Sequence, residues 1–193
     1  MARRKVSRKE QRRQQLAQEQ RRRRLMIGIP ATIVLVGLAV LIFIRFVRPI
    51  EGVEEFGSQE RGHDAQINID SLGRPPVGGV HDPQWQNCGI YDEPVENAHA
   101  VHSLEHGAVW LTYDPDLRAD QVAMLEEYAE NQTFILVSPY PGQESNVMAT
   151  AWGVQIAVDS LPDERIDQFI ARYRGQGPEP GASCSNGTGT PHG

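Results

Sequence analysis

The pattern of apolar and polar residues divides the chain beyond residue 90 into short segments of two kinds. Three segments have the features of helices: a short one within residues 92–107 that starts at Asp92 or Asn97, an amphipathic one at 116–131 and a closing one at 162–175. Three others are apolar runs with the composition of strands: 108–113, 133–140 and 147–159. Gly107 suits the end of the first helix, and Gly153 is expected to bend the last strand. The order of these segments predicts a small domain of the α+β class.

The longest apolar run has a different character. Residues 25–44 carry no charge, and as a helix they would span about 30 Å, the thickness of a bilayer core. Soluble helices are seldom apolar on every side over such a length. The run exceeds the apolar core of a signal peptide, which is about 7–15 residues, and Arg45 and Arg48 follow it instead of a small-residue cleavage site. We therefore predict one retained transmembrane helix, rather than a buried soluble helix or a cleaved signal peptide.

The charge distribution orients this helix. Residues 1–24 carry eleven Lys or Arg and two Glu, whereas residues 49–193 carry six Arg, no Lys and 23 Asp or Glu, a formal charge of −17 with His neutral. The excess of positive charge favours a cytoplasmic N-terminus and an acidic part outside the cell membrane. The predicted partner is therefore the lipid bilayer. The alternative interpretation of the basic tail is nucleic-acid binding, but we predict no nucleic-acid partner.

These patterns predict five parts. They are a basic cytoplasmic tail (1–24), a single-pass transmembrane helix (25–44), a juxtamembrane linker (45–62), an extracytoplasmic α+β domain (63–184) and a disordered tail (185–193). Cys88 and Cys184 both lie in the outer part, where an oxidising compartment permits a disulfide. The bridge would close a loop of about 95 residues and stabilise the fold by about 4–5 kcal/mol. We predict this bridge, with two free thiols or two thiolate ligands as the alternatives.

The histidines are the main candidates for chemistry. His99, His102 and His106 are spaced i, i+3 and i+7, which places them on one stripe of a helix. Neutral imidazole is the commonest metal ligand in proteins, and His63 and His81 lie in loops that could fold over the stripe. The alternative is structural, because buried histidines can also hold backbone carbonyl groups of a loop rich in Pro and Gly.

A short motif suggests a second kind of chemistry. His102, Glu105 and His106 form the string His-x-x-Glu-His of inverted zinc peptidases, in which two His bind zinc and Glu acts as the base. Those enzymes need a long helix through the motif, whereas here Gly107 and a strand-like run follow at once. We expect binding rather than catalysis, and predict no catalytic residue.

Longer stretches of the chain resemble a known bacterial family. The segments PPVGGVHDPQWQNCGIYDEPV, AVHSLEHGAVWLTYDPDL, VSPYPG, ATAWG and PEPGASC are similar to domain of unknown function 3105, over roughly residues 60–184. Members of that family are often membrane-anchored proteins of actinobacteria and similar cells. Residues 77–81 read VGGVH where relatives tend to read TSGPH, so the turn chemistry of this loop differs.

The resemblance implies a candidate site without implying an activity. The histidines of the family pattern correspond to His63, His81, His102 and His106, and we predict these four as ligands of copper or zinc. Nearby polar residues are predicted to surround the ligands: Tyr91, Asp92, His99 and Glu105. The alternative is a non-metal interaction or scaffold domain of the cell envelope, in which the acidic surface engages a protein partner. A zinc hydrolase is a third hypothesis.

Overall fold

The structure is a computed structural model, and it describes residues 8–46, 48–179 and 181–192. Four parts of our sequence predictions lie outside the described residues. They are the start of the basic tail (1–7), residue 47 of the linker, residue 180 of the α+β domain and residue 193 of the C-terminal tail. The chain forms two compact units, which meet between Arg48 and Pro49 in sequence.

The N-terminal unit is one long helix, α1 (Arg8–Phe46). It continues from the basic segment through the apolar run, and Pro30 lies within it. Its large apolar side chains are exposed, as shown by Ile33, Leu35 and Leu41, each about two-thirds accessible. By length and composition α1 is a candidate to cross a membrane, either as an anchor or as a signal sequence.

The second unit is a mixed sheet covered by helices, which confirms the α+β class. Its elements are β1 (Val53–Glu55), β2 (Gly89–Ile90), α2 (Asn97–Glu105), β3 (Val109–Tyr113), α3 (Ala119–Asn131), β4 (Ile135–Pro139), β5 (Val147–Ala151), β6 (Val154–Val158) and α4 (Glu164–Tyr173). The strand order is β1-β6-β5-β3-β4-β2. Strands β2, β3 and β4 run parallel to one another, whereas the pairs β3–β5, β5–β6 and β6–β1 are antiparallel.

The two faces of the sheet have different coverings, because side chains alternate along each strand. On β3, Val109 and Leu111 belong to the larger apolar cluster, which also contains Leu125 of α3 and Phe169 of α4. Trp110 faces the other way, in a smaller cluster with Ala100 and Leu104 of α2. Helix α2 therefore lies on the face opposite α3 and α4, and it carries the candidate residues.

Local packing explains where α2 ends. Gly107 has a φ of +99°, and its N–H donates to the Leu104 carbonyl while the Ala108 N–H donates to the Ser103 carbonyl. This pair of bonds is a Schellman motif, which closes a helix with a left-handed residue that favours glycine. A side chain at position 107 would also collide with Gly175, 2.9 Å from the expected Cβ. The helix therefore stops at Glu105, as the glycine predicted.

Three sequence predictions need correction. The run 147–159 is two antiparallel strands, β5 and β6, because Trp152 and Gly153, the latter with a φ of +74°, form a tight turn between them. Strand β1 lies within the segment that we predicted as a linker, paired with β6. We predicted disorder beyond Cys184, yet Thr188 pairs with Gln86, just before β2, and His192 pairs with Ile90 of β2.

The residues after α4, 175–179 and 181–192, which we call the tail from here on, are held by main-chain hydrogen bonds at several points. Gly175 N–H donates to the Gly107 carbonyl, Glu179 N–H to the Glu105 carbonyl, and Asn87 N–H to the Thr188 carbonyl. The Cys88–Cys184 disulfide lies between these contacts, with Cα atoms 5.4 Å apart. Low sequence complexity predicted disorder beyond Cys184, but the pairing of Thr188 and His192 with residues 86–90 gives that part a defined course.

Candidate metal centre

His63 and His81 lie side by side, although they come from two separate loops. The two residues are partners in a parallel β-bridge, in which Asp64 N–H donates to the His81 carbonyl and His81 N–H to the Gly62 carbonyl. Their ring centroids are 4.8 Å apart. The main chain therefore fixes the relative position of two imidazoles that are separated by a long loop rich in Pro and Gly.

Helix α2 supplies the other two members of the cluster. His102 and Glu105 are spaced i, i+3 and lie on one side of the helix. The His102 ring centroid lies 4.7 Å from that of His63 and 4.8 Å from that of His81, so the three rings form a nearly equilateral triangle. Glu105 Oε2 is 3.1 Å from His81 Nε2 and 3.7 Å from His63 Nε2. We call His63, His81, His102 and Glu105 the inner cluster.

The inner cluster is buried on all sides but one. His81 has no accessible surface, Glu105 has 2% and His102 has 4%, whereas the His63 side chain is 43% exposed. One potential ligand atom from each residue lies within 4.8 Å of those of the other three. His63 therefore covers the cluster on its solvent side.

Backbone carbonyl groups fix the imidazole tautomers. His81 Nδ1 is 2.8 Å from the Gly79 carbonyl oxygen, and His102 Nδ1 is 2.7 Å from that of Asp82. A carbonyl oxygen only accepts, so each Nδ1 carries the hydrogen and donates it. In the neutral ring Nε2 is then a lone-pair acceptor, and this is the atom that each ring presents to a cation.

Burial also keeps His102 neutral. Removal from water lowers the pKa of His102 to about 4, against the smaller opposing effect of its bond to the Asp82 carbonyl, and the neighbouring imidazoles lower it further. At pH 7 the ring is therefore unprotonated, and a cation that binds Nε2 need not displace a proton from it.

Two atoms of the inner cluster are buried without a hydrogen bond: His81 Nε2 and Glu105 Oε2. They are 3.1 Å apart, which is a hydrogen-bonding distance, but the two groups are not oriented so that a hydrogen bond forms between them. A lone pair on neutral His81 would face the negative oxygen of Glu105, which is unfavourable unless a proton or a cation lies between them. Buried polar atoms in native proteins seldom stay unpartnered.

His106 belongs to a different group. Its Nδ1 is 2.6 Å from the Ser183 carbonyl oxygen, and its Nε2 is 3.7 Å from Glu179 Oε2. His102, His106 and Glu179 have potential ligand atoms within 4.8 Å of one another, and we call these three the second cluster. We predicted one site of four histidines, whereas the structure gathers three of them with Glu105 and places His106 in the second cluster.

Sequence reasoning missed Glu179 altogether. It lies in the segment PEPG of the tail, and its position beside His106 depends on the long-range contacts that hold that segment. Glu105 was predicted to surround the ligands, and the i, i+3 spacing from His102 was the signal that could have placed it among them.

A comparison with known proteins identifies the domain. Residues 64–186 match the family described as "Protein of unknown function (DUF3105)", which is more than half of the chain. The chain belongs to the DUF3105 family. No curated protein and no solved structure matches it. The DUF3105 match spans the sheet domain from the residue after His63 to just beyond Cys184, and the family description assigns no activity.

The remaining predicted residues of the DUF3105 domain lie outside both clusters. His99 Nδ1 contacts the Gln84 carbonyl, and its Nε2 is 3.2 Å from Glu96. Tyr91 donates its hydroxyl hydrogen to the Asn87 carbonyl, and Asp92 is an exposed partner of His192 at 3.1 Å. These three side chains stabilise the loop before α2 and the tail, so they do not surround the inner cluster as we expected.

Proposed function

We propose that the chain is a single-pass membrane protein whose sheet domain binds one divalent transition-metal ion, copper or zinc, without turnover. The proposed ligands are Nε2 of His63, His81 and His102 together with Oε2 of Glu105. The observation that carries the proposal is the buried pair of unpartnered atoms on His81 and Glu105, which a cation between them would satisfy.

The donor set suits the proposed ions. Imidazole nitrogen and carboxylate oxygen bind both zinc and copper, and zinc accepts four such ligands in a tetrahedron at about 2.0–2.1 Å. Ligand atoms in that geometry are about 3.3 Å apart, which the His81–Glu105 contact already approaches. The wider pairs, up to 4.8 Å apart, need to close by as much as about 1.5 Å, and the exposed side chain of His63 has the freedom to move.

Binding is favoured over hydrolysis for two reasons. Helix α2 ends at Glu105, so the long helix that inverted zinc peptidases carry through the motif does not continue. The Glu105 carboxylate also faces the same point as the imidazoles, which makes it a ligand candidate and leaves no separate base in the motif. A cavity of about 740 Å³ lies beside α3 and the tail, and no residue of the inner cluster lines it.

Metal titration of the full chain in detergent tests the proposal. We expect one equivalent of Zn²⁺ or Cu²⁺ to bind, and His81→Asn to weaken the affinity by at least about 100-fold, because removing a ligand costs more than removing its supporting contact. His99→Asn is the matched control, since His99 also meets a backbone carbonyl but lies outside the cluster. Equal binding by wild type and His81→Asn, or no binding by wild type, contradicts the proposal.

We also propose that α1 anchors the chain with the sheet domain outside the cytoplasm. The apolar run, the basic residues before it and the disulfide in the sheet domain support this arrangement. We expect the full-length chain to stay with membranes on alkaline extraction. Protease added to intact spheroplasts should remove the sheet domain and spare residues 1–24. A mature protein that lacks α1, or a protected sheet domain, would refute the arrangement.

A further inference from the structure

The second cluster shares one residue with the inner cluster. His102 belongs to both, while His106 and Glu179 belong to the second alone. The ring centroids of His102 and His106 are 4.5 Å apart, at i, i+4 spacing around the end of α2. The two clusters are therefore adjacent and have His102 in common.

His102 can serve only one of these positions at a time. Its Nδ1 donates to the Asp82 carbonyl, so the ring offers the single lone pair on Nε2. Two ions bound together would both require that lone pair. The geometry thus favours one ion that alternates between two ligand sets, rather than a pair of ions.

The two positions differ in their access to solvent. The inner cluster has four donors, of which His81, His102 and Glu105 are almost fully buried. The second cluster has three donors, and the Glu179 side chain is 45% exposed at the domain surface. A position with three protein ligands leaves a coordination site open to water or to another molecule, as in zinc sites that exchange ligands. The second cluster has the features of an exchange position, and the inner cluster those of a holding position.

We propose that His102, His106 and Glu179 form an exchange position through which the ion passes between the inner cluster and a chelating carrier in solvent. This inference rests on the proposed metal-binding function. The ion loses its bonds to His63, His81 and Glu105 and gains bonds to His106 and Glu179, while the bond to His102 Nε2 is kept. Only ligands are exchanged, so no electron is transferred and the metal keeps its oxidation state.

The tail makes this position possible. It supplies Glu179 itself, and the Ser183 carbonyl fixes the His106 ring so that Nε2 faces the cation. Next to Ser183, Cys184 is bonded covalently to Cys88. The disulfide therefore holds two components of the exchange position against the end of α2.

Exchange kinetics of the full chain in detergent test the inference. The protein is loaded with one equivalent of Zn²⁺, and transfer to a chromophoric chelator is followed in stopped flow, together with uptake by the metal-free protein. We expect Glu179→Gln and His106→Gln to slow release and uptake by the same factor, at least about tenfold, and to leave the equilibrium affinity within about threefold. Equal slowing in both directions is required if the changed residues act only on the path.

The outcomes separate this inference from the proposed function. Glu130→Gln, an exposed carboxylate on α3, is the charge-matched control and should exchange zinc like wild type. Unchanged rates in both variants would show that the ion leaves past His63 and would overturn the exchange position. Faster release with weaker affinity would make His106 and Glu179 ligands of the resident ion, which also overturns it. A wild-type protein that holds no zinc contradicts the proposed function and the inference together.

Discussion

Glu105→Gln is expected to make the metal-free domain more stable and its metal binding at least about 100-fold weaker. In the metal-free protein the buried Oε2 of Glu105 lies 3.1 Å from His81 Nε2 without a hydrogen bond. Glutamine has nearly the same shape, and its amide can donate to the lone pair of neutral His81. Replacing a buried unsatisfied charge by a satisfied neutral group should raise the free energy of unfolding by about 1–3 kcal/mol.

Urea unfolding and zinc titration measure these opposite effects. Residues 49–193, which form a compact unit of their own, can be unfolded in the presence of a chelator and followed by circular dichroism. The same protein, without chelator, is titrated with Zn²⁺. Glu127→Gln, an exposed site on α3, should change neither quantity.

The same experiment tests the scaffold alternative. If the histidines are structural, His81 carries a second proton and pairs with Glu105 as a buried ion pair. Removing one partner of such a pair costs about 3–5 kcal/mol, because the other charge stays buried. A Glu105→Gln domain that is less stable, and a wild-type domain that does not bind zinc, would favour the scaffold.

Loss of the disulfide is expected to have the largest effect on stability. Cys88 and Cys184 are 96 residues apart, and opening a loop of that length lowers the free energy of unfolding by about 4–5 kcal/mol through the entropy of the unfolded chain. We expect the Cys88→Ser, Cys184→Ser double variant to unfold at a correspondingly lower urea concentration. Wild type in a reducing agent should match it, and the variant should not respond to the reducing agent.

The disulfide prediction includes its own control. A thiol titration of the unfolded protein shows whether the bridge has been reduced. If reduced wild type unfolds at the same urea concentration as the oxidised protein, the bridge does not constrain the domain and the predicted stabilisation is wrong.

The main elements of the fold could be predicted because their patterns are local. The amphipathic stripe of α3 and the apolar runs of β3 and β4 gave their positions to within a few residues. Strands β1 and β2 were missed because they are only three and two residues long and exist through pairing with β6 and β4. Their signal lies in the partner strand rather than in their own sequence.

The candidate site was predictable only in part, because some of its residues are also positioned by contacts with distant parts of the chain. Spacing on α2 and the family pattern pointed to His63, His81, His102 and His106, but neither gave the rotation of the side chains. His106 follows the end of the helix, and its Nδ1 contacts the Ser183 carbonyl of the tail. Residues 175–184 were predicted to lie in the α+β domain but without an element of their own, so neither that contact nor the position of the Glu179 carboxylate, which depends on long-range pairing, could be foreseen.

X-ray absorption spectroscopy of the zinc-loaded full chain shows whether the ion lies among the three imidazoles and Glu105. We expect four nitrogen or oxygen neighbours at about 2.0–2.1 Å, with the outer-shell scattering of three imidazoles. That scattering should fall to two imidazoles in His63→Ala and stay at three in His99→Ala. A first shell of water and carboxylate oxygen without imidazole scattering would contradict it.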